Sequence, residues 1–222
     1  MIKGMIFDLD GTLISSMDVW EQIDVEFLGK RGLTVPADYL EKITPMGFLN
    51  AARYTIERFG FSETPEQIEE EWMQMAQDAY AHQIAMKPGA RQFLKACQAM
   101  NMHLAVATSS LERLYVPCLQ HHGISDMFET AVTTKQVGED KHSPKIYLTA
   151  ASNMGLDPSE CVVFEDILLG IHTALRAGFH TVGVYEAASR KDHDRMRDAA
   201  DAFIESYENI TPKQLLSHMR LL

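Results

Sequence analysis

Short apolar runs alternate with longer amphipathic stretches through most of the chain after residue 87. Four such runs follow residue 87: His103–Ala107, Ala131–Thr133, Cys161–Phe164 and Thr181–Tyr185. A fifth run, Met5–Phe7, lies near the start of the chain. Nearly continuous apolar runs separated by segments of helical length are typical of parallel strands joined by crossover helices. The alternation therefore predicts an α/β fold, a doubly wound (Rossmann-like) parallel sheet with helices on both faces.

The segment that follows the first apolar run has a different periodicity. Apolar residues recur there every three or four positions, as in Trp20, Ile23 and Phe27, which is the spacing of one helix face. Thr64-Pro65-Glu66 is a typical helix start. We therefore predict an inserted α-helical cap of about four helices over residues 16–86. Residues 1–15 and 87–222 would form the α/β core.

Charge and cysteine content limit the class of partner. The 222 residues carry a formal net charge of −11, which disfavours a nucleic-acid surface and an anionic membrane. No run reaches the roughly 20 apolar residues of a membrane helix. The three cysteines (Cys97, Cys118 and Cys161) are too widely spaced to suggest a zinc site or a disulfide framework. We expect a cytoplasmic protein, a monomer or weak oligomer, with reduced cysteines.

Polar side chains follow three of the predicted strands. Asp8 and Asp10 come directly after the first run, Thr108-Ser109 after the second, and Glu165-Asp166 after Val162-Val163-Phe164. Residues i and i+2 of a strand point to the same face, so the first two carboxylates lie together. In parallel sheets, ligands bind at the carboxyl ends of the strands. The sequence therefore predicts a functional site at that edge.

Each of these segments also has an ordinary structural interpretation when taken alone. Asp-Gly is common in turns, and Ser, Thr and Asp commonly cap helices. A cluster of Asp8, Asp10 and Asp166 would, however, be a group of like charges that needs a cation. Carboxylates and carbonyls are the ligands that Mg²⁺ prefers. Lys141, in a loop before a predicted helix, could add a fixed positive charge.

The order of these segments resembles a known family. Asp8-Leu9-Asp10-Gly11-Thr12, Ala107-Thr108-Ser109-Ser110, Lys141 and Phe164-Glu165-Asp166 with Gly170 are similar to the four motifs of the haloacid dehalogenase superfamily. The resemblance covers essentially the whole chain. It includes the helical cap after the first strand, as in members like beta-phosphoglucomutase and phosphoglycolate phosphatase. Four motifs in the right order are a more specific signal than any one of them.

The resemblance implies roles for the motif residues. Asp8 corresponds to the nucleophile that takes the phosphoryl group, and Asp10 to the acid/base. Thr108 and Ser109 correspond to the phosphate-binding second motif, and Lys141 to the lysine that neutralises nucleophile and phosphate. Mg²⁺ would be held by Asp8, by the carbonyl of Asp10 and by Asp166, with Glu165 as a further metal partner. The implied activity is hydrolysis of a small phosphomonoester, a sugar or metabolite phosphate, through an aspartyl-phosphate.

Two departures from the family pattern bear on this assignment. Lys145 competes with Lys141 for the third motif, and we favour Lys141 from the alignment of Pro144 and Tyr147. Members that isomerise sugar phosphates carry basic residues where this chain has Trp20, Gln22 and the uncharged loop 45–49. That difference favours a phosphatase over a phosphomutase. A haloacid dehalogenase and a non-catalytic regulatory or binding protein on the same fold are two further candidates.

Overall fold

Six parallel strands form one sheet in the computed structural model, which describes residues 1–43 and 46–221. The strands are β1 (Gly4–Phe7), β2 (His103–Thr108), β3 (Thr130–Thr133), β4 (Cys161–Glu165), β5 (His180–Val184) and β6 (Ala202–Ile204). Their spatial order is β3-β2-β1-β4-β5-β6, and every pair of neighbours is parallel. The winding direction reverses between β1 and β4, so a crevice is expected at their carboxyl ends.

Residues 18–83 form a compact helical unit, separate from the unit made by residues 1–17 and 84–222. Its helices are α1 (Val19–Gly29), α2 (Tyr39–Ile43), α3 (Phe48–Phe59) and α4 (Pro65–His82). Thr64 begins α4 with a capping box shared with Gln67, as its sequence predicts. The cap assigned to residues 16–86 from the sequence includes this whole unit, and its role as a cap domain stays a prediction.

Helices cover both faces of the sheet in the larger unit. They are α5 (Ala90–Ala99), α6 (Glu112–His121), α7 (Thr134–Val137), α8 (Lys145–Asn153), α9 (Leu168–Arg176), α10 (His193–Ala199) and α11 (Pro212–His218). Ile6 packs in one core cluster with Ile146 and Tyr147 of α8. The next residue, Phe7, makes an edge contact with Phe93 of α5. Successive strand residues face opposite sides, so α8 and α5 lie on opposite faces.

The predicted fold class is correct. Five of the strands lie where the apolar runs predict them, within a residue or so at each end. The sixth, β6, was not predicted. In the described part of the chain, no helix is long and apolar enough to cross a membrane. Cys97, Cys118 and Cys161 are free and buried, as expected.

Candidate active site

Asp8 lies at the point where the sheet changes direction. It directly follows β1, one of the two central strands, whose Phe7 pairs with Val106 of β2 on one side and with Phe164 of β4 on the other. The amide of Asp8 donates to the carbonyl of Phe164 at 3.0 Å, which extends the pairing by one residue. Parallel register thus brings the residues after β2 and β4 beside Asp8.

A tight turn after Asp8 brings the first motif against the fourth. The amides of Thr12, Leu13 and Ile14 all donate to the carbonyl of Leu9, and Gly11 has a φ of +80°. A Cβ at Gly11 would lie 2.4 Å from Oδ2 of Asp166, so this position requires glycine for space as well as for its backbone angle. The Thr12 hydroxyl donates to Oδ1 of Asp166 at 3.2 Å.

Lys141 is buried between two carboxylates. Its Nζ lies 2.5 Å from Oδ1 of Asp8 and 2.6 Å from Oε1 of Glu165. The hydroxyl of Tyr147, on α8, donates to the same Glu165 oxygen at 2.6 Å. Glu165 is fully buried, and Gly170 of α9 leaves room for it, since a Cβ there would lie 2.5 Å from the Glu165 carboxyl carbon. The fourth motif thus requires its glycine for packing.

The three carboxylates of Asp8, Glu165 and Asp166 converge. Each offers an oxygen, and these oxygens all lie within 4.8 Å of one another. Oε2 of Glu165 is buried and has no hydrogen-bond partner among the described residues. With all groups ionised, three carboxylates against one ammonium leave an excess of two negative charges, which one divalent cation would balance. The donor set is all oxygen, so it fits Mg²⁺.

Burial shapes the ionisation of this cluster. It raises the pKa of Asp8 well above the usual value; Lys141 opposes that shift, and the charges of Glu165 and Asp166 add to it. Burial and then the charge of Glu165 raise the pKa of Asp166 to about 7. Burial disfavours the ammonium of Lys141, but the charges of Asp8 and Glu165 outweigh it and raise its pKa. Lys141 is therefore a fixed positive charge.

The side chain of Asp10 contacts hydroxyl groups. Ser16 donates to Oδ1 at 2.7 Å, and Ser110, from the loop after β2, donates to Oδ2 at 2.5 Å. Both carboxylate oxygens are thereby held, and the Asp10 side chain lies outside the group of three converging carboxylates. The predicted cluster of Asp8, Asp10 and Asp166 is therefore corrected, because Glu165 takes the place of the Asp10 side chain. A metal contact through the backbone carbonyl of Asp10 stays a prediction.

Thr108 and Ser109 lie at the carboxyl end of β2, as the second motif predicts. Thr108 is fully buried, and its hydroxyl oxygen accepts from the amide of Ser110 at 3.0 Å. That arrangement leaves the Thr108 O–H free to donate to an anion. Ser109 is exposed, so its polar groups are accessible to a ligand.

The structure separates the two lysine candidates for the third motif. Lys145 is exposed on the first turn of α8 and pairs with Glu139 at 3.2 Å, whereas Lys141 contacts Asp8. The contact with Asp8 favours Lys141, and its assignment to the third motif stays a prediction. Thr44 and Pro45, the latter part of the uncharged loop 45–49, lie outside the described residues.

Comparison with known proteins decides the family. The family model described as haloacid dehalogenase-like hydrolase matches residues 5–184, which include all four motifs. The chain belongs to the haloacid dehalogenase-like hydrolases. Among curated relatives, hexitol phosphatase A of Escherichia coli (strain K12) is 30% identical over 212 residues, covering 94% of this chain and 93% of that protein. YhcW of Bacillus subtilis (strain 168) is 29% identical over 224 residues, covering 99% and 98%.

Solved structures of other proteins share the fold. The crystal structure of CbbY from Rhodobacter sphaeroides in complex with phosphate matches with a TM-score of 0.75 and 23% identity, covering 97% of this chain and 99% of that one. Beta-phosphoglucomutase from Clostridium difficile matches with a TM-score of 0.71 and 20% identity, covering 99% and 98%. At these identities, the likeness shows the architecture alone.

Four polar contacts of the site were not predicted from the sequence. Thr12, Ser16, Ser110 and Tyr147 each donate a hydroxyl hydrogen bond to a site carboxylate. Thr12 and Ser110 lie inside the first and second motifs, so their place in the sequence could have identified them as site residues. Tyr147 lies on the buried face of α8, and Ser16 lies just beyond the turn; neither has a sequence pattern that distinguishes it from a packing residue.

Proposed function

We propose that the protein is a Mg²⁺-dependent phosphatase that hydrolyses a small phosphomonoester, a sugar or other metabolite phosphate. The single observation that carries this proposal is the buried contact of Lys141 with both Asp8 and Glu165, beside Asp166. A carboxylate adjacent to a fixed ammonium and a cation site suits attack on an anionic ester, because phosphoryl transfer depends on positioning and charge neutralisation. Relatives named as phosphatases, such as hexitol phosphatase A, support the reaction class.

Asp8 would act as the nucleophile. One of its oxygens forms a bond to phosphorus while the bond from phosphorus to the ester oxygen breaks, which gives an aspartyl-phosphate and an alcohol. Lys141 holds Oδ1 of Asp8, so Oδ2 is the attacking atom. Water then attacks the phosphorus of the intermediate and releases inorganic phosphate and free Asp8. Lys141 carries its positive charge through both steps, so the repulsion between carboxylate and ester is reduced.

Asp10 would move the protons. It gives one to the departing alcohol oxygen and takes one from the attacking water, while Ser16 and Ser110 fix the orientation of its carboxyl group. Thr108, through its O–H, and Ser109 would bind the phosphate oxygens. Mg²⁺ held by Asp8 and Asp166, with Glu165 beside it and the Asp10 carbonyl as a further ligand, would supply positive charge to the phosphoryl oxygens.

Phosphate release from a panel of phosphorylated metabolites tests this function directly. We expect Mg²⁺-dependent release from at least one sugar or polyol phosphate, abolished by EDTA. Asp8→Asn should lower turnover by about 10⁴-fold or more, because the amide cannot take the phosphoryl group. Asp194→Asn, at an exposed aspartate, is the matched control and should retain activity.

The products distinguish this function from its competitors. An isomerised sugar phosphate with little free phosphate would indicate a phosphomutase, and halide release from a haloacid would indicate a dehalogenase. If no ester releases phosphate with Mg²⁺ present, or if Asp8→Asn is as active as the wild type, the proposal is wrong. A cytoplasmic location and a monomeric or weakly oligomeric state are also proposed, on the sequence alone.

A further inference from the structure

A shallow groove lies beside the candidate active site, at the carboxyl ends of β2 and β3. It encloses about 490 Å³ and is lined by Leu111, Glu112, Arg113, Thr133, Lys135 and Gln136. We call it the β2–β3 groove. The register pairs Thr108 with Thr133, so the loops that follow the two strands lie side by side. Leu111 directly follows Ser110, whose hydroxyl contacts Asp10. The groove therefore begins one residue from a direct contact of the proposed acid/base.

Two basic side chains, from separate segments of the chain, line this groove. Arg113 is on the first turn of α6, and Lys135 is on α7, two residues after the end of β3. The chain as a whole has 31 acidic and 20 basic residues, so a groove with two cations and a single acid, Glu112, opposes the overall charge. A local excess of positive charge beside a site for anionic esters can bind a second anion.

The other polar groups of the groove leave Lys135 available to a ligand. Thr133 and Gln136 satisfy each other in a capping box. Lys135 is exposed and makes no ion pair with any residue that the structure describes. Within the described part of the chain, no side chain caps the start of α6, a ten-residue helix whose amide end adds a partial positive charge to the same groove. Glu112 supplies the opposing negative charge.

We propose that the β2–β3 groove binds a second anionic group of the substrate, at the end of the molecule away from the reacting phosphate. This inference rests on the proposed phosphatase function and narrows its substrate class to phosphate esters with a carboxylate or a second phosphate. Arg113 would contact that group with its planar guanidinium and Lys135 as a point charge. Glu112 would weaken the same contact.

A matched pair of esters tests the groove. Sorbitol 6-phosphate and 6-phosphogluconate share six carbons and the phosphate but differ in a terminal hydroxymethyl or carboxylate group. We expect the wild type to have a kcat/KM about 10-fold or more higher for the carboxylate ester, a preference that Lys135→Gln and Arg113→Gln each reduce mainly through KM. Glu112→Gln should lower KM for the carboxylate ester. Lys95→Gln, at an exposed lysine of α5, is the matched control.

A second arm measures binding without turnover. Calorimetric titration of 6-phosphogluconate into Asp8→Asn should show weaker binding, by about 5-fold or more, when Lys135→Gln is added, and no change when Lys95→Gln is added. Glucose 1,6-bisphosphate in place of 6-phosphogluconate distinguishes a second phosphate from a carboxylate. The proposal would be overturned if the wild type had equal kcat/KM for both six-carbon esters, or if Lys135→Gln lowered kcat/KM equally for both. Either result would leave the phosphatase assignment intact. If no ester is hydrolysed, the phosphatase assignment fails, and the titration alone decides whether the groove binds anions.

Discussion

At the scale of single residues, the site depends on one buried cation. Lys141 is the ammonium that contacts both Asp8 and Glu165, and Glu165 is fully shielded from water. Removing one partner of a buried ion pair leaves an uncompensated charge, which costs roughly 3–5 kcal/mol in folding free energy. The same removal would leave the nucleophile beside two carboxylates without the ammonium that contacts Asp8 and Glu165.

Lys141→Ala should therefore lose both stability and turnover, whereas Lys145→Ala should lose neither. We expect kcat for a hydrolysed ester to fall by about 10³-fold in Lys141→Ala, with its thermal midpoint several degrees lower. Lys145 forms an exposed pair with Glu139, and such pairs contribute about 0–1 kcal/mol. Steady-state kinetics and thermal melts measure both effects. Loss of turnover in Lys145→Ala alone would assign the third motif to Lys145.

Sequence patterns located the charged residues of the site better than their hydroxyl partners. Asp8, Glu165 and Asp166 lie at the carboxyl ends of β1 and β4, which the apolar runs predict, so their convergence could be predicted from topology. Ser16 contacts Asp10 only because the chain bends back after the turn at Gly11. That bend depends on bonds to the Leu9 carbonyl, which no periodicity shows. Hydroxyl donors are also common at caps and turns, so their presence alone carries little information.

At the scale of elements, the strands with long apolar runs were predicted and the short edge strand was not. β6 has three residues, Ala202–Ile204, and lies at the edge of the described sheet, where it pairs with β5. A run of that length is too short to show alternation, and edge strands are often short because exposed edges invite unwanted pairing. Tertiary pairing to β5, which sequence periodicity cannot show, defines this strand.

Helix α1 carries an acidic residue on its buried face. Asp24 lies between Ile23 and Phe27 on the side that the unit buries, and it makes no hydrogen bond or ion pair with the residues described. Burial and then the charge of Glu21 raise its pKa to about 7. A carboxyl whose pKa is higher in the folded chain stabilises the fold below pH about 4. That contribution is lost as pH rises to about 7.

Asp24→Asn should therefore stabilise the protein in a pH-dependent way. The amide has nearly the same shape and no charge. We therefore expect the unfolding free energy of the variant, minus that of the wild type, to be about 2–4 kcal/mol larger at pH 8 than at pH 4. Thermal melts of wild type and variant at both values measure it. Glu26→Gln, at an exposed glutamate of the same helix, is the matched control for the loss of one carboxyl group. If the effect of Asp24→Asn is the same at both pH values, the pKa of this carboxyl is the same in the folded and the unfolded chain.

At the scale of the whole molecule, negative charge is concentrated where a cation is needed. The chain has a net charge of −11, and its most buried acids, Asp8, Glu165 and Asp166, are at the switch point of the sheet. A parallel sheet creates this crevice through its topology, and the motifs add the carboxylates. The arrangement implies that folding, proton binding and cation binding are linked at one place.

Stabilisation by Mg²⁺ should therefore increase with pH. Because the pKa of Asp8 is raised and that of Asp166 is about 7, protons compete with the cation more strongly at pH 5 than at pH 8. At a Mg²⁺ concentration 100 times its dissociation constant at pH 8, Mg²⁺ binding raises the unfolding free energy by about 2.7 kcal/mol. If the affinity at pH 5 is about 100-fold weaker, the same Mg²⁺ concentration raises it by about 0.4 kcal/mol. Thermal midpoints in Mg²⁺ and in EDTA should then differ by roughly 5–10 °C at pH 8 and by about 1 °C at pH 5. Asp166→Asn should remove most of the difference at pH 8, and equal Mg²⁺ shifts at both pH values would place the cation outside this cluster.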